Sequence, residues 1–189
     1  MVLNEIILKN IEESKIAIGN CSQNIPEIIQ SIEKIVACLK NGNKIIIFGN
    51  GGSAADAQHM AAEFIGRYKL ERKSFPALSL TTDSSIITSI GNDYSFSEIF
   101  SRQCEGLVNK DDIVIGISTS GKSENVRKGL ISSKNKNAIT IGILGKDGGS
   151  IKDHCDIPII VNEYDTPKIQ EVHRVIIHII CELVENQLK

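Results

Sequence analysis

KIIIFGNGGSAADAQHMAAEF, residues 44–64, runs from an unbroken apolar stretch through three glycines into a segment of helical composition. An apolar run without polar alternation suits a strand covered on both faces, as in a parallel sheet. The glycines let the backbone take left-handed angles and approach a ligand closely, and a helix that starts just after them favours an anion. No lysine follows the glycines, however, and His59 and Glu63, four residues apart, share one face of the predicted helix. The stretch reads as strand, tight turn and helix, and as either a nucleotide cradle or the floor of an active site for something smaller.

Four more apolar runs follow the same pattern: PALSL (76–80), DIVIGI (112–117), AITIGI (138–143) and DIPIIV (156–161). Amphipathic segments separate them, with Ser53, Asp83 and Ser123 placed to cap helices. Two helices precede the first strand, one carrying Leu3, Ile6, Ile7 and Ile11, the other Ile28, Ile29, Ile32, Ile35, Val36 and Leu39 at helical spacing. Asn24 and Pro26 start the second, and Asn41-Gly42 stops it. A last amphipathic helix spans about Pro167 to Leu188, apolar through Val172, Val175, Ile176, Ile179, Ile180 and Leu183. The sum is an α/β fold, a three-layer α-β-α sandwich around a five-stranded parallel sheet, with ligands expected at the carboxyl ends of the strands. One domain covers 1–189: residues 1–42 supply extra helices that pack on the domain or on another subunit, and 43–189 form the core.

Composition bounds the function. The chain has 189 residues, 41% hydrophobic and 23% charged, with a net charge of -2. No basic field draws nucleic acid or anionic lipid, so a phosphorylated ligand must be held by local donors. Five scattered cysteines without a CxxC pair indicate neither a zinc knuckle nor a disulfide framework. Acidic residues near the start and the lack of a long apolar segment predict a cytoplasmic protein with no leader and no membrane span.

Three polar segments fall where strands end. GNGGS (49–53) is the glycine turn, and SIGNDYSF (89–96) offers Asn92 and Asp93 to hydroxyls, although Gly-Asn-Asp is also ordinary turn chemistry. GISTSGKSENV (116–126) matches the phosphate-loop pattern G-x-x-x-x-G-K-S letter for letter. A nucleotide-binding protein with Lys122 on the phosphates would follow. Gly116 sits inside the apolar run, however. A loop read as 118–123 instead presents the hydroxyls of Ser118, Thr119, Ser120 and Ser123, suited to a compact phosphomonoester. On the last helix, Gln170 and His178 roughly share a face, while a histidine between Ile177 and Ile179 also reads as a core residue. Glu63, among apolar neighbours, would have its pKa raised by burial, either as a cost of its position or as the tuning of a general base. Together these groups suit proton transfer beside a carbonyl, as in ketose–aldose conversion. A metal held by His59, Glu63, Gln170 and His178 is the other reading, with glutamine an unusual ligand.

FGNGGSAADAQHMAAEFIGRY, GND (91–93), GISTSGKSENV, GKDGG (145–149) and IQEVHRVIIH (169–178), in that order, resemble the sugar isomerase (SIS) family and, within it, the sedoheptulose 7-phosphate isomerases. The resemblance implies a homotetramer with active sites at subunit interfaces. It also implies conversion of D-sedoheptulose 7-phosphate to D-glycero-D-manno-heptose 7-phosphate, a step toward the heptoses of bacterial lipopolysaccharide or capsule. Carried over, Ser53, Ser118, Thr119, Ser120 and Ser123 hold the phosphate, and Asn50, Gly51, Gly52, Asn92, Asp93 and Gln170 line the sugar. Glu63 is the base and His178 its acid/base partner. His59, Glu63, Gln170 and His178 match the family's zinc ligands. Lys122 departs from the family, where an uncharged residue often stands. A non-catalytic relative of the same fold, a scaffold that binds the replication initiator DnaA, is similar through the glycine turn and the serine loop. It lacks the acid and second histidine that this chain keeps at 63 and 178.

Overall fold

Each apolar run forms a strand in the computed structural model, which describes residues 2–189 and leaves Met1 outside. Strands β1 (Ile45–Gly49), β2 (Ala77–Ser79), β3 (Ile113–Ser118), β4 (Ile139–Gly145) and β5 (Ile157–Val161) are all parallel, in the order β2-β1-β3-β4-β5. Helices α1 (Leu3–Asn20) and α2 (Ile25–Lys40) come before the sheet. Then α3 (Gly52–Ile65), α4 (Ser84–Asp93), α5 (Ser101–Leu107), α6 (Glu124–Asn135) and α7 (Thr166–Gln187) follow.

Side chains alternate between two cores, one on each face of the sheet. Ile45, Ile47, Ile113, Ile115 and Ile117 pack with α2, α3 and α7. Ile46, Phe48, Val114 and Leu144 pack with α5 and α6, and Phe48 stacks on Phe100 at 4.8 Å. Because both faces are covered, β1 and β3 show no exposed position, which is why their sequences carry no polar alternation. From β1 the chain moves to β2 on one side, and it then returns to lay β3 on the other. The loops after β1 and β3 therefore diverge around a crevice at the strands' carboxyl ends.

Local chemistry sets the helix ends. Asn24 holds the N-cap position of α2 with Pro26 in its first turn, and Asn41 ends it before Gly42, at φ +79°. Asp83 caps α4, its Oδ1 accepting from the Ile86 N–H at 2.9 Å. Ser53 is not a cap: Gly51 takes that position and Ser53 lies buried in the first turn of α3. Asn92 and Asp93 close α4 instead of forming a loop, because the cap at Asp83 and the spacing of Ile86, Ile87 and Ile90 carry the helix through them. The phosphate-loop reading fails here too. Gly116 is a buried β3 residue, and a Cβ there would press on Val126 and Leu130 at 3.0 Å.

Helix α7 packs inward through Val172, Ile176 and Ile180, while Val175, Ile179 and Leu183 line an open apolar cleft with Ile25, Ile28, Ile29 and Ile32 of α2. Helix α1 buries only Ala17 and leaves Leu3, Ile7, Leu8 and Ile11 more than half exposed. Lys168 fastens it to α7, donating to the Asn10 carbonyl at 3.0 Å and the Ser14 hydroxyl at 2.8 Å. The five cysteines are free, and burial pushes the thiols of Cys104, Cys155 and Cys181 up to about 12. Among the described residues no helix is long and apolar enough to cross a membrane.

Candidate active site

The crevice between β1 and β3 is floored by backbone. Gly51 turns the chain at φ +56°, which a side chain would strain. A Cβ at Gly52 would meet the Gln170 amide from α7, which would have to swing aside. Asn50 and Asn125 exchange amide hydrogen bonds at 2.8 and 2.9 Å, tying the glycine turn to the first turn of α6. Asn50, Gly51, Gly52, Ser53 and Gln170 therefore meet at the start of α3.

The serine loop follows β3. Ser118 Oγ lies 3.0 Å from Ser123 Oγ and 3.4 Å from Ser120 Oγ, and the Lys122 N–H donates to Ser120 at 3.1 Å. Ser123 occupies the N-cap position of α6 without making the cap bond, its hydroxyl turned toward Ser118 instead. Thr119 is half-buried between them, and Lys122 is exposed. Gly121, at φ +64°, passes so close to Gly148 that a Cβ would collide with its backbone, and its carbonyl accepts from the Ile151 N–H at 3.1 Å. The GKDGG segment thus buttresses the hydroxyl loop from behind. A cluster of hydroxyls at a helix start matches a phosphate's need for several donors around one anion.

A second group forms at the far end of α3. Its Nε2 puts His59 2.9 Å from Nε2 of His178 on α7 and 3.5 Å from Oε1 of Glu63. The Tyr68 ring, just past α3, sits 5.8 Å from the His178 ring. His178 is half-buried, so the core reading applies instead to His173, which is fully buried with both ring nitrogens unpartnered among the described residues. Burial, then the neighbouring His59 and Arg174, hold His178 below the usual imidazole range. Glu63 keeps 22% of its side chain exposed and is not enclosed as its apolar neighbours in sequence suggested.

Two imidazole nitrogens and a carboxylate are suitable zinc donors. Here the nitrogens are engaged with each other, so an ion would have to replace their hydrogen bond. Among the described residues no group of three or more His, Cys, Asp or Glu stands ready as a metal cage. Gln170, the fourth expected ligand, lies against Gly52 and makes no hydrogen bond to either histidine. Asn92 and Asp93 are exposed at the end of α4, bonded to each other at 2.9 Å and not to the crevice.

Asn125, Tyr68, Arg72 and Glu185 were missed from the sequence. For Glu185 a signal exists: it falls four residues after Cys181 and eight after Ile177, on the buried stripe of α7.

Residues 13–145 match the SIS domain family. A phosphoheptose isomerase from Trichlorobacter lovleyi is 55% identical over 161 residues, covering 85% of this chain and 82% of that protein. One from Clostridium acetobutylicum is 47% identical over 97% of this chain and 94% of its own length. A phosphoheptose isomerase structure from Neisseria gonorrhoeae superposes with a TM-score of 0.93 at 37% identity, over 98% of this chain and all of that one.

Proposed function

This chain belongs to the SIS domain family, and on that premise we propose that it is a sugar-phosphate aldose–ketose isomerase converting D-sedoheptulose 7-phosphate to D-glycero-D-manno-heptose 7-phosphate. One observation carries the reading: His59 brings a carboxylate and a second imidazole together on the helix that begins at the glycine turn.

The serine loop and Ser53 hold the phosphate, while Asn50, Gly51, Gly52 and Gln170 line the sugar. Glu63 takes a proton from carbon 1 of the open-chain ketose, and the C–H electron pair becomes the C1=C2 bond of an enediol(ate). His178 donates to the oxygen on carbon 2 as charge develops there, and the proton on the carbon 1 oxygen leaves to the histidine pair. Glu63, 22% exposed, exchanges that proton with solvent and then delivers a solvent-derived proton to carbon 2, leaving the aldehyde at carbon 1. Zinc, held by His59, Glu63 and His178, would polarise the substrate oxygens. Both histidines and Glu63 are half-buried, and α1 and the α2–α7 cleft expose apolar side chains. The apolar faces support contacts between subunits, and the reading is of a cytoplasmic homotetramer with sites completed between subunits, where Asn92 and Asp93 would serve a neighbour's sugar. The product would feed bacterial surface polysaccharide.

Purified protein given D-sedoheptulose 7-phosphate should yield an aldoheptose phosphate visible by NMR. A ketose left unchanged, with and without added zinc, would overturn the reading. Metal analysis and chelation test the zinc: bound zinc and activity lost on chelation are expected, and full turnover in metal-free protein would refute it.

A further inference from the structure

Beyond α3 the chain wraps around one buried carboxylate. Glu185, 2% exposed, accepts from the N–H groups of Tyr68 at 3.0 Å, Lys69 at 2.8 Å and Leu70 at 2.9 Å. Arg72 Nε donates to the same group at 2.9 Å. A buried charge persists only when it is paired and its remaining lone pairs are filled, and here four donors do so. Burial opposes ionisation of Glu185, but these donors outweigh it and keep the carboxyl below its ordinary range.

Arg72 carries the connection further. Its Nη2 donates to the Glu63 carbonyl at 2.8 Å and its Nη1 to the Phe64 carbonyl at 3.0 Å, while the guanidinium lies 3.9 Å over the Phe75 ring. The accepting carbonyls belong to the last turn of α3, which has no helical partners of its own to offer them. One ion pair thus joins the backbone of Glu63, the N–H of Tyr68 and a residue of α7 seven positions beyond His178.

We propose that Glu185 and Arg72 are positioning residues that set α3 against α7 and hold the Tyr68 ring beside His178, so that Glu63, His59 and His178 keep their working geometry. The proposal rests on the isomerase reading for its kinetic consequence. Nothing in the pair touches the sugar. It acts by preventing a shift of the helix that carries the base, and misplacement by about 1 Å costs about 100-fold in rate. An arginine making one bond to the carboxylate and three or more to carbonyls cannot be replaced by lysine, which is a point charge without the planar fork.

The test uses the full chain with 3-fluorotyrosine, which gives three fluorine resonances for Tyr68, Tyr94 and Tyr164. Tyr68→Phe assigns the first. Arg72→Lys should lower kcat by about 10- to 100-fold with KM changed by about twofold at most. The Tyr68 resonance should move while those of Tyr94 and Tyr164 stay. Glu185→Asp, which withdraws the carboxylate by one methylene, should do the same to a smaller degree, and it decides the matter if Arg72→Lys does not fold. Unchanged kcat in the folded variants, or a lowered kcat with an unmoved Tyr68 resonance, would overturn the proposal. If the wild-type chain turns over no sugar phosphate, the isomerase reading falls, and the fluorine spectra alone still decide whether the pair places Tyr68.

Discussion

The two ends of α3 are built on different principles. At its start, the site is backbone and small neutral groups: Gly51, Gly52, Ser53 and, across the crevice, the hydroxyls of Ser118, Ser120 and Ser123. At its finish, the site is ionisable side chains held by cross-helix contacts, His59 to His178 and Arg72 to Glu185. The first end is fixed by where the strands stop, and it can bind an anion without changing its own charge. The second depends on the register of two helices, and it can move protons. On the proposed function, binding and chemistry are separated along one helix, by about two turns or roughly 10 Å.

This separation is open to attack by substitution. The largest effect should come from Glu63→Gln, with kcat falling about 10²- to 10⁴-fold and KM little changed, as steady-state kinetics would read. A fall in affinity of the same size would mean that the two ends are not distinct.

His173 supplies a control from the same helix as His178. Burial pushes its pKa down from 6.5 to about 4, so it stays neutral in the folded chain. The unfolded chain binds the proton first as pH falls, so this contribution is complete above about 6.5 and is lost on descending to about 4. The stake is about 3 kcal/mol. His173→Phe should flatten stability against pH across that window in denaturant titrations and leave kcat near neutrality alone. A variant as acid-sensitive as the parent would show that His173 is not the source.

At the other end, Ser118→Ala and Ser120→Ala should each raise KM by about tenfold, the cost of one hydrogen bond to a charged group, with kcat affected less. Lys122→Ala should be mildest, a change in KM of about twofold that fades with salt, since this exposed ammonium is screened. A large effect there would return weight to a lysine on the phosphate.

How much of this the sequence disclosed follows the same division. The strands and the glycine turn were readable because each is a local pattern: IIIF is apolar at every position, as burial on both faces requires, and GNGG marks the tight passage from β1 into α3. Asp83 likewise announced its helix. Asn92 and Asp93 misled, since Gly-Asn-Asp favours a turn locally while the periodic isoleucines before it prolong α4. The letters G-x-x-x-x-G-K-S were present without their geometry, because Gly116 belongs to β3. The far end of α3 was half visible. His59 and Glu63 share a face by spacing alone, but their meeting with His178 requires α7 to lie alongside. The Glu185–Arg72 pair is a contact across 113 residues: the buried stripe of α7 flags Glu185, but Arg72 by itself reads as a solvated charge and nothing local names it as the partner.

The most direct test of the account is turnover of D-sedoheptulose 7-phosphate in deuterated water by the wild-type chain and by Glu63→Gln, followed by NMR. The account predicts an aldoheptose phosphate carrying deuterium at carbon 2 from the wild type, and from the variant both product and exchange at carbon 1 slowed by about 10²- to 10⁴-fold. Product formation and exchange by Glu63→Gln at the wild-type rate would contradict it.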